Sequence, residues 1–215
     1  KSIKLNLSHP TKSRSGSSGS DRILGIGVHT SILKLFSDNP TLKGFGINAL
    51  YSSDGEKNAF YGDFSYYLPG KKSSSDYATA FSSATSPSQY DITVDSKIKG
   101  MGFRVGYRRY IINDIADEGF KMYFQFALGM LLFNGTSSTS TAVDPNLYYT
   151  SFEPTWTASG FTIGGGMGAE FCVNETVNIF AEGNLNVPAN TANGEAIEVE
   201  IPASLQPVIG VRIHF

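Results

Sequence analysis

The sequence of 215 residues predicts an all-β fold: a closed, up-and-down antiparallel transmembrane barrel of about eight strands. Three observations carry this. Alternation with period two recurs in eight segments, each covering most of the ~9–11 residues a tilted strand needs to cross a bilayer. The connections alternate between short and long. Charged side chains and glycines fall on the strand face opposite the large apolar residues, as the narrow inside of a small barrel requires.

Composition agrees. Charged residues make up 17% of the chain and aromatics 13%, against ~25% charged in ordinary soluble domains. A net charge of −2 leaves no basic excess for nucleic acid. No apolar run approaches the ~20 residues of a membrane-spanning helix. Lys1 is not an initiator Met and no apolar leader follows it, so a mature product with its signal removed is expected. The lone Cys172 excludes a disulfide scaffold.

Residues 1–21 form the first expected unit, a flexible periplasmic tail. Ser8 to Ser20 contains no apolar residue. Ile3, Leu5 and Leu7 alternate with polar residues, so a short strand added to a partner's sheet is the alternative there. The second unit, 22–215, is the barrel. Its first segment alternates Leu24, Ile26 and Val28 with Gly25, Gly27 and His29. The second sets Phe45, Ile47, Ala49 and Tyr51 against Gly46, Asn48 and Leu50. The third sets Phe60, Phe64, Tyr66 and Leu68 against Tyr61, Asp63 and Ser65. In the fourth, Met101, Phe103, Val105 and Tyr107 oppose Gly102, Arg104, Gly106 and Arg108. The fifth opposes Met122, Phe124, Phe126 and Leu128 to Tyr123, Gln125 and Gly129. The sixth opposes Phe161, Ile163, Met167 and Phe171 to Gly164, Gly166, Gly168 and Glu170. Val177, Ile179, Ala181 and Leu185 alternate with Asn178, Phe180, Glu182 and Asn184 in the seventh. The eighth runs through Leu205, Ile209, Val211, Ile213 and Phe215, with Gln206, Gly210, Arg212 and His214 between them.

Between these segments, Ser52–Asn58, Ile112–Gly119 and Asn174–Thr176 read as tight turns, with Asp54-Gly55 a hairpin signal. Leu33–Lys43, Pro69–Gln89, Asn134–Thr155 and Pro188–Glu198 read as long loops rich in Ser, Thr, Asn, Gly and Pro, although Ile92–Lys99 keeps the period and extends the fourth strand. In lipid every backbone polar group must be paired, so first and last strands are expected to join.

The closing segment Val208-Ile209-Gly210-Val211-Arg212-Ile213-His214-Phe215 resembles the last strand of bacterial outer-membrane proteins. Gly102-Phe103-Arg104-Val105-Gly106-Tyr107-Arg108 is similar to strands of the OmpA/OmpX/OmpW-like superfamily of small eight-stranded barrels. The resemblance covers roughly residues 22–215. It implies an outer-membrane location, contact with outer-membrane lipid or lipopolysaccharide, and recognition of Phe215 by the barrel-assembly machinery. It implies little about activity, because members range from anchors and adhesins to pores and lipid-modifying enzymes.

The inward parity collects six charged residues, Asp63, Arg104, Arg108, Glu170, Glu182 and Arg212, all in the periplasmic half of the barrel. Three acids and three bases in a narrow lumen are expected to pair, since an unpaired buried charge is costly. That arrangement predicts a polar plug; a solute or proton path along the cluster is the competing reading. His29-Thr30-Ser31 resembles the His-x-Ser pair of lipid A deacylases, yet both residues share the lumen parity and no orienting acid lies near in sequence. Gly164-Gly165-Gly166-Met167-Gly168 superficially resembles a phosphate loop, but lacks its spacing and the helix that must follow. His9, His29 and His214 lie on separate segments, so no metal, cofactor or catalytic set is expected. On the outward parity Tyr51, Phe60, Tyr107, Phe171 and Phe215 are expected to form an inner aromatic girdle, with Tyr66, Leu68 and Trp156 at the opposite rim. A soluble lipocalin-like barrel with the faces inverted is the alternative fold.

The expectation for function is an anchor or binding protein with a plugged lumen, engaging a protein partner through the long loops or the tail. The alternatives are a narrow channel or lateral route for small hydrophobic molecules, as in the OmpW-like branch, and a lipid-modifying enzyme.

Overall fold

The computed structural model describes residues 22–36, 40–53, 55–80, 88–140, 155–189 and 201–215, with side chains left out at 74–80, 88–94 and 139–140. The expected tail, with Ile3, Leu5 and Leu7, and Asp54 of the hairpin signal lie outside the described residues.

Eight strands form one closed antiparallel barrel, each paired with its neighbours in sequence. They are β1 (Ile23–Leu35), β2 (Leu42–Ser52), β3 (Asn58–Ala80), β4 (Ser88–Ile112), β5 (Phe120–Ser140), β6 (Thr155–Cys172), β7 (Val177–Pro188) and β8 (Ser204–His214). Closure is made by β1 against β8, from Gly25 opposite His214 to Leu35 opposite Ser204. The backbones of Leu24 and Phe215 exchange hydrogen bonds at the end of this seam, at 2.8 and 3.3 Å.

Registered pairs followed once around the wall run from Leu24 through Tyr51, Phe60, Tyr107, Phe126, Gly165, Leu185 and Leu205. They return to β1 at Lys34, ten residues on from Leu24. With ~3.3 Å per residue and ~4.8 Å between strands, this stagger tilts the strands by about 40°. Each residue then rises ~2.5 Å along the barrel axis. On β1 the outward side chains Leu24, Ile26, Val28 and Ile32 are exposed and apolar; Lys34 interrupts the run, and Phe36, just past the strand, is exposed again. The eight residue steps from Leu24 to Ile32 make this band about 20 Å tall and the ten from Leu205 to Phe215 about 25 Å, close to the height of a lipid-facing band in barrels of this kind.

The inverted, lipocalin-like arrangement fails on this point. The exposed large apolar residues, from Phe60 and Phe126 to Ile209, cover the outside, while the charges lie inside.

The short-turn end is tightly made. Asn174 Oδ1 accepts from the amides of Thr176 and Val177 at 3.0 and 2.7 Å, closing β6 to β7. The β4–β5 turn uses positive φ at Asn113 (56°) and Gly119 (88°), a conformation cheap only for Gly and tolerated by Asn. This turn folds back under the barrel: the amides of Ile115 and Ala116 donate to Glu56 and Gly55 at 2.8 and 3.0 Å.

At the opposite end the strands run further than expected. β1 and β2 extend into Leu33–Lys43, β5 continues to Ser140, and most of the expected Pro69–Gln89 loop is strand. Past a register shift between Tyr67 and Gly70, β3 and β4 stay paired to Ala80 and Ser88. The reason is solvent: above the apolar band a sheet edge can be hydrated, so strands need not stop where the barrel does. Pairing of β2 with β3 ends at Gly44 and Tyr67. Gly70 still lies against Pro40, Thr41 and Leu42; from Ser73 to Ala80, about 23 Å along the strand, β3 has no registered strand partner on that side among the described residues.

Candidate functional site

The lumen is where this chain departs from a generic sheet, and its contents follow from residue size. Several inward glycines face a large ring on the next strand. Gly168 pairs with Tyr123, and Gly210 with Phe180. A Cβ on either glycine would stand 2.4 Å from the Tyr123 ring or 2.6 Å from the Phe180 ring. Glycine thus makes room for rings that cross the lumen and fill it.

Between these rings lies a ladder of ion pairs. Nearest the short-turn end, Glu170 accepts from Arg212 Nη1 at 2.6 Å, Tyr110 OH at 3.0 Å and Asn178 Nδ2 at 2.5 Å. His214 Nε2 lies 3.4 Å from the same carboxylate. Above it, Glu182 accepts from Arg108 Nη2 at 2.6 Å, Tyr123 OH at 2.8 Å and Gln125 Nε2 at 3.0 Å. Arg212 Nη2 stands 3.8 Å from Glu182, so one guanidinium links two rungs. Higher still, Asp63 meets Arg104 Nη2 at 3.1 Å, His29 Nε2 at 2.8 Å and Ser65 Oγ at 3.1 Å. The arginines are also held by their flat faces. Arg108 lies 3.9 Å from the centroid of Tyr123, and Arg212 4.5 Å from that of Phe180, a favourable arrangement for a cation out of water.

All six charged residues expected in the lumen are therefore buried there, and each acid has an arginine partner. These six pair off and are desolvated, the condition under which a buried pair persists, while a fourth base that the sequence reading did not count, Lys121, is buried at the short-turn end. Arg108 Nη1, His29 Nδ1 and Ser31 Oγ have no hydrogen-bond partner among the described residues.

Two apolar clusters flank the ladder; sequence reasoning put Leu50, Tyr61 and Tyr123 on the lumen face but foresaw neither cluster. At the short-turn end Leu50, Ala59, Tyr61, Tyr110, Ile115, Tyr123 and Ala127 pack together. Ile115 comes from the turn itself, and its carbonyl accepts a hydrogen bond from the buried Lys121 Nζ. At the other end Leu33, Leu35, Leu42, Tyr67, Ile98, Leu131, Phe133, Ala158 and Ile201 form a second layer. Trp156 packs on this layer from inside, so it is not a rim aromatic facing lipid. The available signal was that Leu33 and Leu35 continue the inward parity of β1. A uniformly polar lumen hides that signal, because it makes inward leucines look like loop.

The girdle residues Tyr51, Phe60, Phe171 and Phe215 face outward and are exposed near the short-turn end. Tyr107 stacks edge-on against Phe60 at 6.0 Å and donates to Asn58 Oδ1. Aromatics are not confined to that rim, since Phe64, Phe103 and Phe126 lie outward at mid-height. His29 and Ser31 are both lumen-buried beneath the upper apolar layer, so the His-x-Ser pair does not meet lipid. No group of three or more potential metal ligands occurs among the described residues.

No family model matches the chain, and no curated protein matches it by sequence. Solved structures do resemble it. A major outer membrane protein from Thermus thermophilus superposes with a TM-score of 0.54 at 8% identity, over 89% of this chain and 99% of that one. Neisserial surface protein A gives a TM-score of 0.50 at 14% identity, over 90% and 97%. At such identities the likeness is one of fold: this chain has the closed barrel architecture of small outer-membrane proteins.

Proposed function

We propose that the chain is an integral barrel of the bacterial outer membrane, acting as a non-enzymatic anchor and binding protein rather than a pore. The observation that carries this is the continuous filling of the lumen, from the Ile115 layer through three ion-pair rungs to the Phe133–Trp156 layer. A solute path would need those pairs to part, and each separation leaves a buried charge without its partner. The tall apolar band and the shared fold support the membrane location. The lumen-buried His29 and Ser31 stand against lipid chemistry at that pair.

The binding role falls to the end where β3 and β4 rise beyond the barrel. Among the described residues, strand Ser73–Ala80 presents a backbone edge without a registered partner, and extended edges take up strands of other chains by main-chain hydrogen bonding. Phe215 remains the expected mark for the assembly machinery.

Reconstitution of the purified chain in planar phosphatidylcholine bilayers tests the reading. The expected record is flat at applied voltage; steady, reproducible conductance steps would overturn the plugged-anchor assignment in favour of a channel.

A further inference from the structure

The apolar band carries a hollow in its lower part, toward the short turns. Ala49 and Gly62 are registered partners on β2 and β3 and share the outward parity. With Leu24, Tyr51 and Phe60 they line a groove of about 170 Å³ on the outer wall. The hollow follows from residue size: its floor is an alanine and a glycine, whereas the registered row beneath it is Leu24, Tyr51 and Phe60. A Cβ on Gly62 would meet nothing closer than the Arg104 carbonyl oxygen at 4.0 Å, so the space is open outward.

The same side of the barrel brings a cation into the band. The ten-residue stagger lifts a registered row by about 3 Å per strand. Tyr107, three strands on from Leu24, thus stands ~9 Å above it, and Arg109, two residues further down β4, stands ~4 Å above it. On β7 and β8 about that height is held by Ile179 and Ile213, both exposed and apolar. Arg109 is exposed, and its registered partner Asn58 accepts a hydrogen bond from Tyr107 OH. Lys57, also exposed, adjoins Asn58 near the level of Leu24. Glu56 lies one residue further into the turn, so Arg109 is the ionic group that stands within the band. A polar notch on β3 and β4 therefore lies just below the apolar groove.

We propose that groove and notch together hold one glycerophospholipid of the leaflet on the short-turn side, with an acyl chain over Ala49 and Gly62 and its phosphate on Arg109, assisted by Lys57. The proposal rests on the membrane reading above. In a bilayer a hollow at this depth faces hydrocarbon, and an unfilled one forfeits dispersion contacts along its lining. An acyl chain is the mobile apolar group present there. The guanidinium fork of Arg109 suits a phosphate, and it stands below the groove, on the side from which a lipid headgroup reaches its own chain. Phe60 and Tyr51 then flank the chain where it leaves the headgroup.

The test uses the full chain folded in vesicles of dioleoyl phosphatidylethanolamine and dioleoyl phosphatidylglycerol, extracted into dodecyl maltoside and weighed by native mass spectrometry. The native chain is expected to keep one phospholipid. G62L fills the groove without meeting protein and is expected to lose it, whereas G183L, on the far wall where a Cβ also meets nothing within 4 Å, keeps it. R109Q with K57Q is expected to lower retention several-fold. Oleate at equal concentration is expected not to displace the phospholipid; displacement would assign the groove to any alkyl chain and overturn the phosphate contact. Retention unchanged in G62L or in R109Q with K57Q overturns the proposal. Should those variants fail to fold, labelling of the native chain decides. Phosphatidylethanolamine with a diazirine in its acyl chain is expected to mark the peptides holding Ala49 and Gly62 several-fold above the one holding Gly183, and even labelling around the wall overturns the site. Failure of the native chain to fold into the vesicles overturns the membrane reading itself, whereas folding there with no retained phospholipid overturns only the groove.

Discussion

Replacing Glu182 with Gln probes the ladder at its most connected point. The carboxylate accepts from Arg108, Tyr123 and Gln125 at 2.6, 2.8 and 3.0 Å, and Arg212 stands 3.8 Å away. Arg108 and Arg212 are 2% and 1% exposed, so neither reaches water when its partner loses charge. Breaking a buried pair costs ~3–5 kcal/mol. Glutamine keeps the volume and one acceptor oxygen, which recovers about 1 kcal/mol. A net loss of ~2–4 kcal/mol is therefore expected, with no cavity to account for it. Trp156 is the only tryptophan in the sequence and packs on the upper apolar layer, so its fluorescence reports urea unfolding in phosphatidylcholine vesicles. The midpoint should fall with an unchanged slope. Pairing E182Q with R108M removes the stranded charge, and the double variant should be more stable than the sum of the single losses by about 1.5 kcal/mol or more. Additivity within about 0.5 kcal/mol would show that Arg108 and Glu182 do not depend on each other, and the plug argument would fail with it.

Four further outcomes follow from packing. A Cβ at Gly46 would stand 2.1 Å from the Phe64 carbonyl oxygen and 2.6 Å from His29 Nε2, so G46V should sharply reduce folding yield on a gel-shift assay. By contrast G183A, which meets nothing within 4 Å, should leave the urea midpoint unchanged or raise stability by up to about 1 kcal/mol. Ile115 is almost fully buried beneath the barrel, and I115A should cost ~2–4 kcal/mol in the same urea titration. F133A opens the upper layer at a cost of ~3–5 kcal/mol, yet planar-bilayer records should stay flat because the Arg104–Asp63 pair still lies below; steady conductance would place the barrier in the apolar layer instead.

Much of the wall was legible because a closed barrel has only two faces. Side chains at period two must choose one, so the alternation of Phe60, Phe64 and Tyr66 against Tyr61, Asp63 and Ser65 already assigns inside and outside. The parity of Arg104, Arg108, Glu170, Glu182 and Arg212 placed them in the lumen for the same reason. Strand ends were harder. Lys71 to Ala80 and Thr136 to Ser140 read as loop by composition, because Ser, Thr and Lys on both faces carry no alternation, and only pairing with β4 reveals the strand.

The sequence by itself determined the fold class, the two faces and the lumen side of six charged residues, since each depends on local period and residue type. Which acid meets which arginine was decided only by the tertiary structure. Glu170 reaches Arg212, Glu182 reaches Arg108 and Asp63 reaches Arg104 because the ten-residue stagger sets the height of every strand against every other. That stagger is a property of closure, summed over eight pairings, and no single segment contains it. Closure likewise brings Leu33 of β1 into one layer with Phe133 and Trp156 of the neighbouring β5 and β6.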